Sequence, residues 1–279
     1  MSYNNELVIN KKVQSLDGST KYYYQLCDKE MVICVLIPKR NGLFNYCISC
    51  QVGCPCKCQH CATGKMEYIR DLSCQEIFAQ VDLIKENLDK NDKILFMGMG
   101  EPFFNYNNVL ESCKLFVKND IVKSYHNIII STCGIIPGIK KLSNEKNRPK
   151  LAITIGNAIQ SKRERLIPIS KVFPIRKVIE ECIAFQEKTG DKIIFEYPLI
   201  KNINDSEEDI RSFIELIRRI ECIIHVIPFN EFEGSNLKRP SNNEVKRFVK
   251  KLDEYSLDTY KKPSFGIDVY AGCGQLEIK

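Results

Sequence analysis

From about residue 90 to its end the chain alternates short apolar runs with amphipathic stretches, and this rhythm narrows its possible folds more than any other feature. Residues 93–97, 127–131, 151–155, 192–196 and 222–226 are rich in Ile, Val, Leu and Phe, as strands buried on both faces must be. Helical patterns lie between and around them. Ser73 and Glu76 form a capping box ahead of Ile77, Val81, Ile84 and Leu88, which share one helical face. Ser241 and Glu244 do the same ahead of Val245, Phe248, Val249 and Leu252. Ile210, Phe213, Ile214 and Ile217 make a third stripe, and Gly190 suits a helix C-cap. With one more strand just before residue 47, the pattern gives about six β/α units, which predicts an α/β fold of parallel strands with helices outside, an open sheet or a partial barrel. Residues 1–46 break the rhythm, with a turn at Asp17-Gly18 and a strand over 30–37. They read as a small N-terminal β extension on a core formed by residues 47–279.

A length of 279 residues with 44% hydrophobic content is enough for a substantial core and excludes a disordered chain. No run reaches the roughly 18 apolar residues of a membrane span. The polar start, leading into Lys11 and Lys12, is unlike a signal peptide, so no membrane partner is expected and the default address is cytoplasmic. The net charge of +6 is compatible with an ordinary solvated surface. A local bias is sharper: Lys238, Arg239, Lys246, Arg247, Lys250, Lys251, Lys261 and Lys262 crowd the last fifth of the chain. Such clusters contact nucleic-acid phosphates, and equally often form a solvated face.

Fourteen cysteines are many for a chain that is neither short nor secreted in character. Cys27, Cys34, Cys74, Cys113, Cys182 and Cys222 lie among apolar neighbours and read as inert core residues. Six others fall within Cys47-Ile-Ser-Cys50-Gln-Val-Gly-Cys54-Pro-Cys56-Lys-Cys58-Gln-His-Cys61. Cys54, Cys58 and Cys61 have C-x3-C-x2-C spacing on a loop that follows a strand. Three thiolates can hold a [4Fe–4S] cluster and leave one iron without a protein ligand, where a cofactor can bind. The competing reading is zinc, which wants four ligands and finds no second pair at a suitable distance, although Cys50 and Cys56 keep it open. His60, next to Cys61, reads as a packing or solvent-facing residue rather than a ligand.

The C-x3-C-x2-C loop resembles the signature of radical S-adenosylmethionine enzymes, whose fold is typically a partial (β/α)6 barrel. The resemblance narrows to the RlmN/Cfr methyltransferases, which act on RNA adenines. It is carried by Cys47-Ile-Ser-Cys-Gln-Val-Gly-Cys54, Ala62-Thr-Gly-Lys65, Met97-Gly-Met-Gly-Glu-Pro102, Ser131-Thr-Cys-Gly134, Phe195-Glu-Tyr197, Asn204-Asp-Ser206, Ile227-Pro-Phe-Asn230 and Ala271-Gly-Cys-Gly-Gln-Leu276. These segments occur in order along nearly the whole chain.

The resemblance implies a radical SAM barrel with Cys54, Cys58 and Cys61 on the cluster, and S-adenosylmethionine held by Gly100, Glu101, Ser131, Thr154 and Asn230. The Glu101 carboxylate would pair with the methionine ammonium. Cys273 and Cys47 would be catalytic. By the family's scheme, the C-terminal cysteine takes a methyl group from one S-adenosylmethionine, and a 5′-deoxyadenosyl radical made from a second abstracts hydrogen from that methyl. The carbon radical then adds to adenine, and the other cysteine resolves the covalent adduct, leaving a disulfide. The implied partners are RNA (rRNA or tRNA) and an electron donor such as flavodoxin or ferredoxin. The oligomeric state is not implied.

The chain departs from the family in places. The usual helical RNA-binding domain at the start of the family is not among these residues. Ile33 stands where the family has a glutamate assigned as proton acceptor, Thr154-Ile155-Gly156 replaces a segment containing a histidine, and Phe265-Gly266 replaces an arginine-glycine pair. All three differences touch substrate handling, which leaves a radical enzyme acting on a small molecule or peptide as the alternative. A metal- or nucleic-acid-binding protein without activity is the reading from another class.

Overall fold

The protein is described by a computed structural model covering residues 7–39, 41–85 and 89–278. Its core is a ten-stranded sheet. Three antiparallel strands come first: β1 (Leu7–Gln14), β2 (Thr20–Leu26) and β3 (Met31–Pro38), with the Asp17-Gly18 turn between the first two. β4 (Phe44–Cys47) pairs antiparallel with β3 on one side and parallel with β7 (Lys93–Phe96) on the other. Two-residue strands β5 (Gln51–Val52) and β6 (Arg70–Asp71) pair apart from the main sheet and bracket the cysteine loop.

From β4 onward the chain follows the β/α rhythm. Helix α1 (Cys74–Asp82) leads to β7, α2 (Tyr106–Lys118) to β8 (Ile128–Thr132), and α3 (Ile136–Leu142) to β9 (Lys150–Thr154). Helices α4 (Gln160–Leu166) and α5 (Ile175–Thr189) precede β10 (Ile193–Leu199), and α6 (Glu207–Ile217) precedes β11 (Cys222–Pro228). Helix α7 (Asn242–Asp253) leads to a short edge strand, β12 (Thr259–Lys261). Strands β4, β7, β8, β9, β10, β11 and β12 are all parallel to their neighbours in that order, the α/β architecture of a partial (β/α)6 barrel.

Local chemistry explains where the helices begin. Ser73 accepts from the Glu76 N–H while the Glu76 carboxylate accepts from the Ser73 N–H, and Ser241 and Glu244 repeat the exchange. Ser206 and Asp209 form a third capping box on α6, with an aspartate in the place of the usual glutamate. Gly190 ends α5 in the left-handed conformation, φ 72°. Helix α1 is shorter than the periodicity predicts: it ends at Asp82, Ile84 packs on the core from the following turn, and Leu88 lies outside the described residues. Cys34, Cys113 and Cys182 are buried as expected, whereas Cys74 and Cys222 are half-buried and Cys27, at the β2–β3 turn, is exposed.

Side chains alternate across a strand. One face of β7–β10 therefore packs on the helices, while Leu95, Ile129, Ala152 and Ile194 form a separate apolar layer on the other. Two residues further along each strand, Met97, Ser131, Thr154 and Glu196 share that inner face at the C-terminal ends of the strands, where barrels of this kind place their chemistry. Among the described residues no helix is long and apolar enough to cross a membrane.

Candidate active site

Cys47 ends β4, level with Leu95 on β7, and turns to the inner face. The chain then passes close beneath the end of β7: a Cβ on Gly98 would sit 2.5 Å from the Ile48 carbonyl oxygen. Gly100 has φ 102°, and a Cβ there would meet the Gln51 side chain at 2.6 Å. Both glycines are thus demanded by the chain's own backbone at the mouth of the barrel.

The cysteine loop runs from β5 to the short turn Ala62–Lys65. Cys54, Cys58 and Cys61 are all half-buried on it. The Cys133 side chain and burial push the Cys58 thiol well above its ordinary value, and burial followed by Cys58 pushes Cys61 up. For Cys54 the Cys56 side chain favours the thiolate, but burial and the neighbouring Cys58 and Cys61 outweigh it. The three thiols lie on this one loop, between β5 and the Ala62–Lys65 turn, and three cysteine sulfurs are a donor set that fits a [4Fe–4S] cluster. His60 is half-buried; burial, reinforced by Arg163, lowers it to about 4, which agrees with a packing role.

Glu101 is buried behind the loop, and burial raises its carboxyl. One oxygen accepts from the Cys133 N–H at 2.9 Å and the other from the Phe103 N–H at 3.1 Å. The thiols of Cys133 and Cys56 lie 3.4 Å apart, and with Glu101 they bring donor atoms within 4.8 Å of one another. Cys50, the other cysteine in the zinc reading, stands outside this group in the core. Sequence patterning gave no hint of Arg163, a completely buried side chain on α4 whose guanidinium donates to the carbonyls of Thr154, Ile155 and Cys133. Its position could be found only by knowing that β8, β9 and α4 converge there.

The segment after β12 crosses from one edge of the sheet back to the other. The Gly266 N–H donates to Asp17 at 2.7 Å, Ser15 donates to Asp268 at 2.5 Å, and Lys21 reaches the Tyr270 carbonyl at 2.8 Å. Beyond it the chain is pinned onto the cysteine loop. The Ala62 N–H donates to the Gly274 carbonyl at 2.7 Å and the Thr63 hydroxyl to the Leu276 carbonyl at 2.6 Å. Asn230, just past β11, is buried: its amide NH2 donates to the Cys273 carbonyl at 3.0 Å, and its oxygen accepts from Arg239.

The crossing leaves a cavity of about 870 Å3 whose wall includes Cys47, Met97, Asn230, Lys262 and Cys273. Burial raises both thiols to about 12; Cys273 and Glu196 add to the shift of Cys47, Glu196 and Cys61 to that of Cys273, and Lys262 draws both back. Of the expected cofactor residues, Asn230 is on this wall, Gly100 and Glu101 lie by the cysteine loop, and Ser131 and Thr154 stand on the inner face between. The Ser131 hydroxyl donates to Glu196 at 2.6 Å. Ile33, in the place of the family glutamate, is fully buried in β3, and its carbonyl accepts from Ser49 at 2.6 Å.

The basic C-terminal cluster divides in the structure. Lys246, Arg247 and Lys250 are exposed on α7 and Lys261 on β12. Lys262 and Arg239 turn inward, the first to Glu196 at 3.1 Å and the second to the Phe229 carbonyl at 3.0 Å.

A profile of the radical SAM superfamily matches residues 48–214. A probable dual-specificity RNA methyltransferase RlmN from Petrotoga mobilis is 34% identical over 276 residues, covering 98% of this chain and 78% of the relative. The protein of the same name from Dictyoglomus turgidum is 37% identical, over 93% of this chain and 76% of its own. The crystal structure of a radical SAM methyltransferase from Sphaerobacter thermophilus superposes with a TM-score of 0.92 at 30% identity, covering 97% of this chain and 81% of that one. The chain therefore belongs to the radical SAM superfamily and, within it, to the RlmN-type methyltransferases, enzymes that work with a [4Fe–4S] cluster and S-adenosylmethionine.

Proposed function

We propose that this methyltransferase places a methyl group on a carbon of an RNA adenine, with Cys273 as the methyl carrier and Cys47 as the resolving thiol. The observation that carries the reading is the meeting of these two cysteines in one cavity, Cys273 on a segment pinned to the cysteine loop and Cys47 at the end of the first parallel strand. RNA as substrate is supported by the names of the relatives, dual-specificity RNA methyltransferases.

Cys54, Cys58 and Cys61 would hold the cluster, and Glu101 with Gly100, Ser131, Thr154 and Asn230 would hold S-adenosylmethionine. When bound, the two supply the methyl group and, with one electron, a carbon-centred radical. Cys273 accepts the methyl on sulfur and presents it within the cavity, whose wall sets apolar Leu95 and Ile227 beside polar Asn230 and Lys262. Once the adenine is joined through the methylene, Cys47 attacks the Cys273 sulfur: the S–S bond forms, the Cys273 S–CH2 bond breaks with its electron pair passing to the methylene carbon, that carbon takes a proton to become the product methyl, and the two cysteines remain as a disulfide. The electron donor we propose is a flavodoxin or ferredoxin.

Intact-protein mass spectrometry tests the carrier: wild-type protein should gain the mass of one methyl, mapped to Cys273. The Cys47→Ala variant should accumulate a covalent protein–RNA adduct, because the resolving thiol is missing. No methyl on Cys273 after incubation with S-adenosylmethionine, together with wild-type turnover by Cys47→Ala, would remove the two-cysteine reading. Nucleoside analysis of RNA from cells with and without the protein tests the substrate; unchanged methyladenine would favour a non-RNA substrate.

A further inference from the structure

The cavity shared by Cys47 and Cys273 is flanked by positive charge that the chain itself does not neutralise. Its wall takes Ile37 and Lys39 from the end of β3, Asn45 and Cys47 from β4, and Leu95 and Met97 from β7. These are alternate residues on three neighbouring strands, so they share the inner face of the sheet. The same alternation puts Lys93 on that face, level with Asn45. Lys150 pairs with Ile129, which pairs with Leu95, so it joins the face two strands further on. All three lysines stand on one rim of the sheet. Lys39 lies just past the end of antiparallel β3, while Lys93 and Lys150 are the first residues of β7 and β9.

Among the described residues no ion pair involves Lys39, Lys93 or Lys150. Carboxylates of this part of the fold are committed elsewhere. Glu196 holds Lys262 at 3.1 Å, Asp17 accepts from the N–H groups of Gly266 and Ser19, and Asp92 from those of Phe44 and Asp89. Lys39 and Lys93 are half-buried and Lys150 is exposed. Burial, and then the repulsion of Lys39, Lys150 and Lys262, lowers the Lys93 ammonium. Beside Lys93, the amide oxygen of Asn45 is buried without a hydrogen-bond partner among the described residues, although buried polar groups are normally paired. A concave wall lined by one sign of charge concentrates ligands of the other sign.

We propose that Lys39, Lys93 and Lys150 form a binding site for backbone phosphates of RNA, next to the nucleotide whose adenine enters the cavity. The inference rests on the RNA reading above. Chemistry on a base requires the base to leave its stack, and an adenine that reaches Cys47 and Cys273 leaves its charged backbone at the rim. A lysine ammonium is a compact charge on a flexible stem, which suits it to a backbone whose path varies with sequence. Phosphate contacts fix register and carry no sequence information, so the site positions the strand and leaves recognition of the base to the cavity. The exposed cations of α7, Lys246, Arg247 and Lys250, are not on this wall.

The experiment is a binding titration of cluster-loaded protein with a short single-stranded oligoribonucleotide, one adenine among uridines, over a series of salt concentrations. Lys39→Gln/Lys93→Gln/Lys150→Gln should weaken binding and reduce the log–log salt slope by about 2, at about 0.7 for each single-strand phosphate. Over a fourfold rise in salt, the variant should therefore lose about 20-fold less affinity than the wild type. An all-uridine strand should show the same change in slope. Lys114→Gln/Lys118→Gln/Lys171→Gln removes as much charge from exposed positions elsewhere and should keep the wild-type slope, as should the triple arginine variant at the rim. In the unaltered protein, bound oligonucleotide should protect Lys39, Lys93 and Lys150 from acylation by an N-hydroxysuccinimide ester, read site by site by mass spectrometry. A wild-type slope in the glutamine variant, or equal acylation of the three lysines with and without bound RNA, would overturn the site and leave the RNA reading standing. Wild-type protein that shows no salt-dependent binding would defeat the RNA reading itself, and the site with it.

Discussion

Replacing Gly64 by alanine should cost the protein its cluster well before it costs the fold. Gly64 lies in the turn Ala62–Lys65, directly after the last cysteine of the loop. A Cβ there would fall 2.8 Å from the Cys58 nitrogen and 3.2 Å from its carbonyl carbon, with the carbonyl oxygen nearer still, whereas ordinary contact begins at 3.4 Å. All three atoms are backbone, so no rotamer change relieves the clash, and the Cys58 peptide must retreat by more than half an ångström. Overpacking of this kind costs about 1–3 kcal/mol, or roughly 2–4 °C in Tm per kcal/mol for a chain near this size. Metal sites are less forgiving, since ligand distances hold to within about 0.2 Å. Gly190→Ala is the matched control: its Cβ meets nothing within 4 Å, but φ is 72°, so left-handed strain alone costs about 1–2 kcal/mol. Both variants should be reconstituted anaerobically, with iron and sulfide per chain and the visible chromophore measured beside Tm. Similar losses of Tm are expected, with loss of iron in Gly64→Ala alone. A Gly64→Ala protein that melts lower but carries wild-type iron would refute the reasoning.

Two further outcomes separate the roles of neighbouring residues. Cys54→Ala, Cys58→Ala and Cys61→Ala should each abolish the iron–sulfur chromophore, while Cys50→Ala and Cys56→Ala spare it; loss in the Cys56 variant with retention in the Cys58 variant would reassign the ligands. Replacing Lys246, Arg247, Lys250 and Lys251 by glutamine should weaken RNA binding across sequences alike and flatten its salt dependence, by about 0.7 in log–log slope for each single-strand phosphate no longer neutralised. A titration at two salt concentrations checks this, and an unchanged slope would move the RNA-binding surface elsewhere.

The parallel strands were legible because each is an apolar run between strong helix signals, and β10, buried along its whole length, is the clearest case. β12 was not: three half-buried or exposed residues on a sheet edge carry no hydrophobic period. The three-cysteine loop could be read from its spacing, since all three residues lie within the short stretch 54–61 of one loop. The surroundings of Cys273 could not. Its neighbours come from β4, β10, β11 and the cysteine loop, and only the folded sheet brings them together. Lys262 shows the same limit from the other side. Local composition puts it with Lys261 in one basic run, but successive residues of a strand end face opposite ways, so Lys261 is exposed while Lys262 meets a buried carboxylate.

The C-terminal segment explains how one thiol can serve two partners on the proposed reading. Its fixed points are backbone groups. The carbonyls of Cys273, Gly274 and Leu276 are held by Asn230, Ala62 and Thr63, and Tyr270 and Gly274 take left-handed conformations at φ 52° and 81°. The Cys273 side chain is exposed to the cavity. Anchoring through main-chain carbonyls fixes the Cα without fixing χ1, so the sulfur can swing between staggered positions without breaking a hydrogen bond. Gly274 is needed for this arrangement, because a Cβ there would meet the His60 carbonyl at 2.8 Å and lift the segment off the cysteine loop. A methyl carrier must face the cofactor in one step and the resolving Cys47 in another. A rigid backbone with a single free torsion meets both demands at the smallest entropic cost, since only one side-chain rotor need be ordered at each step.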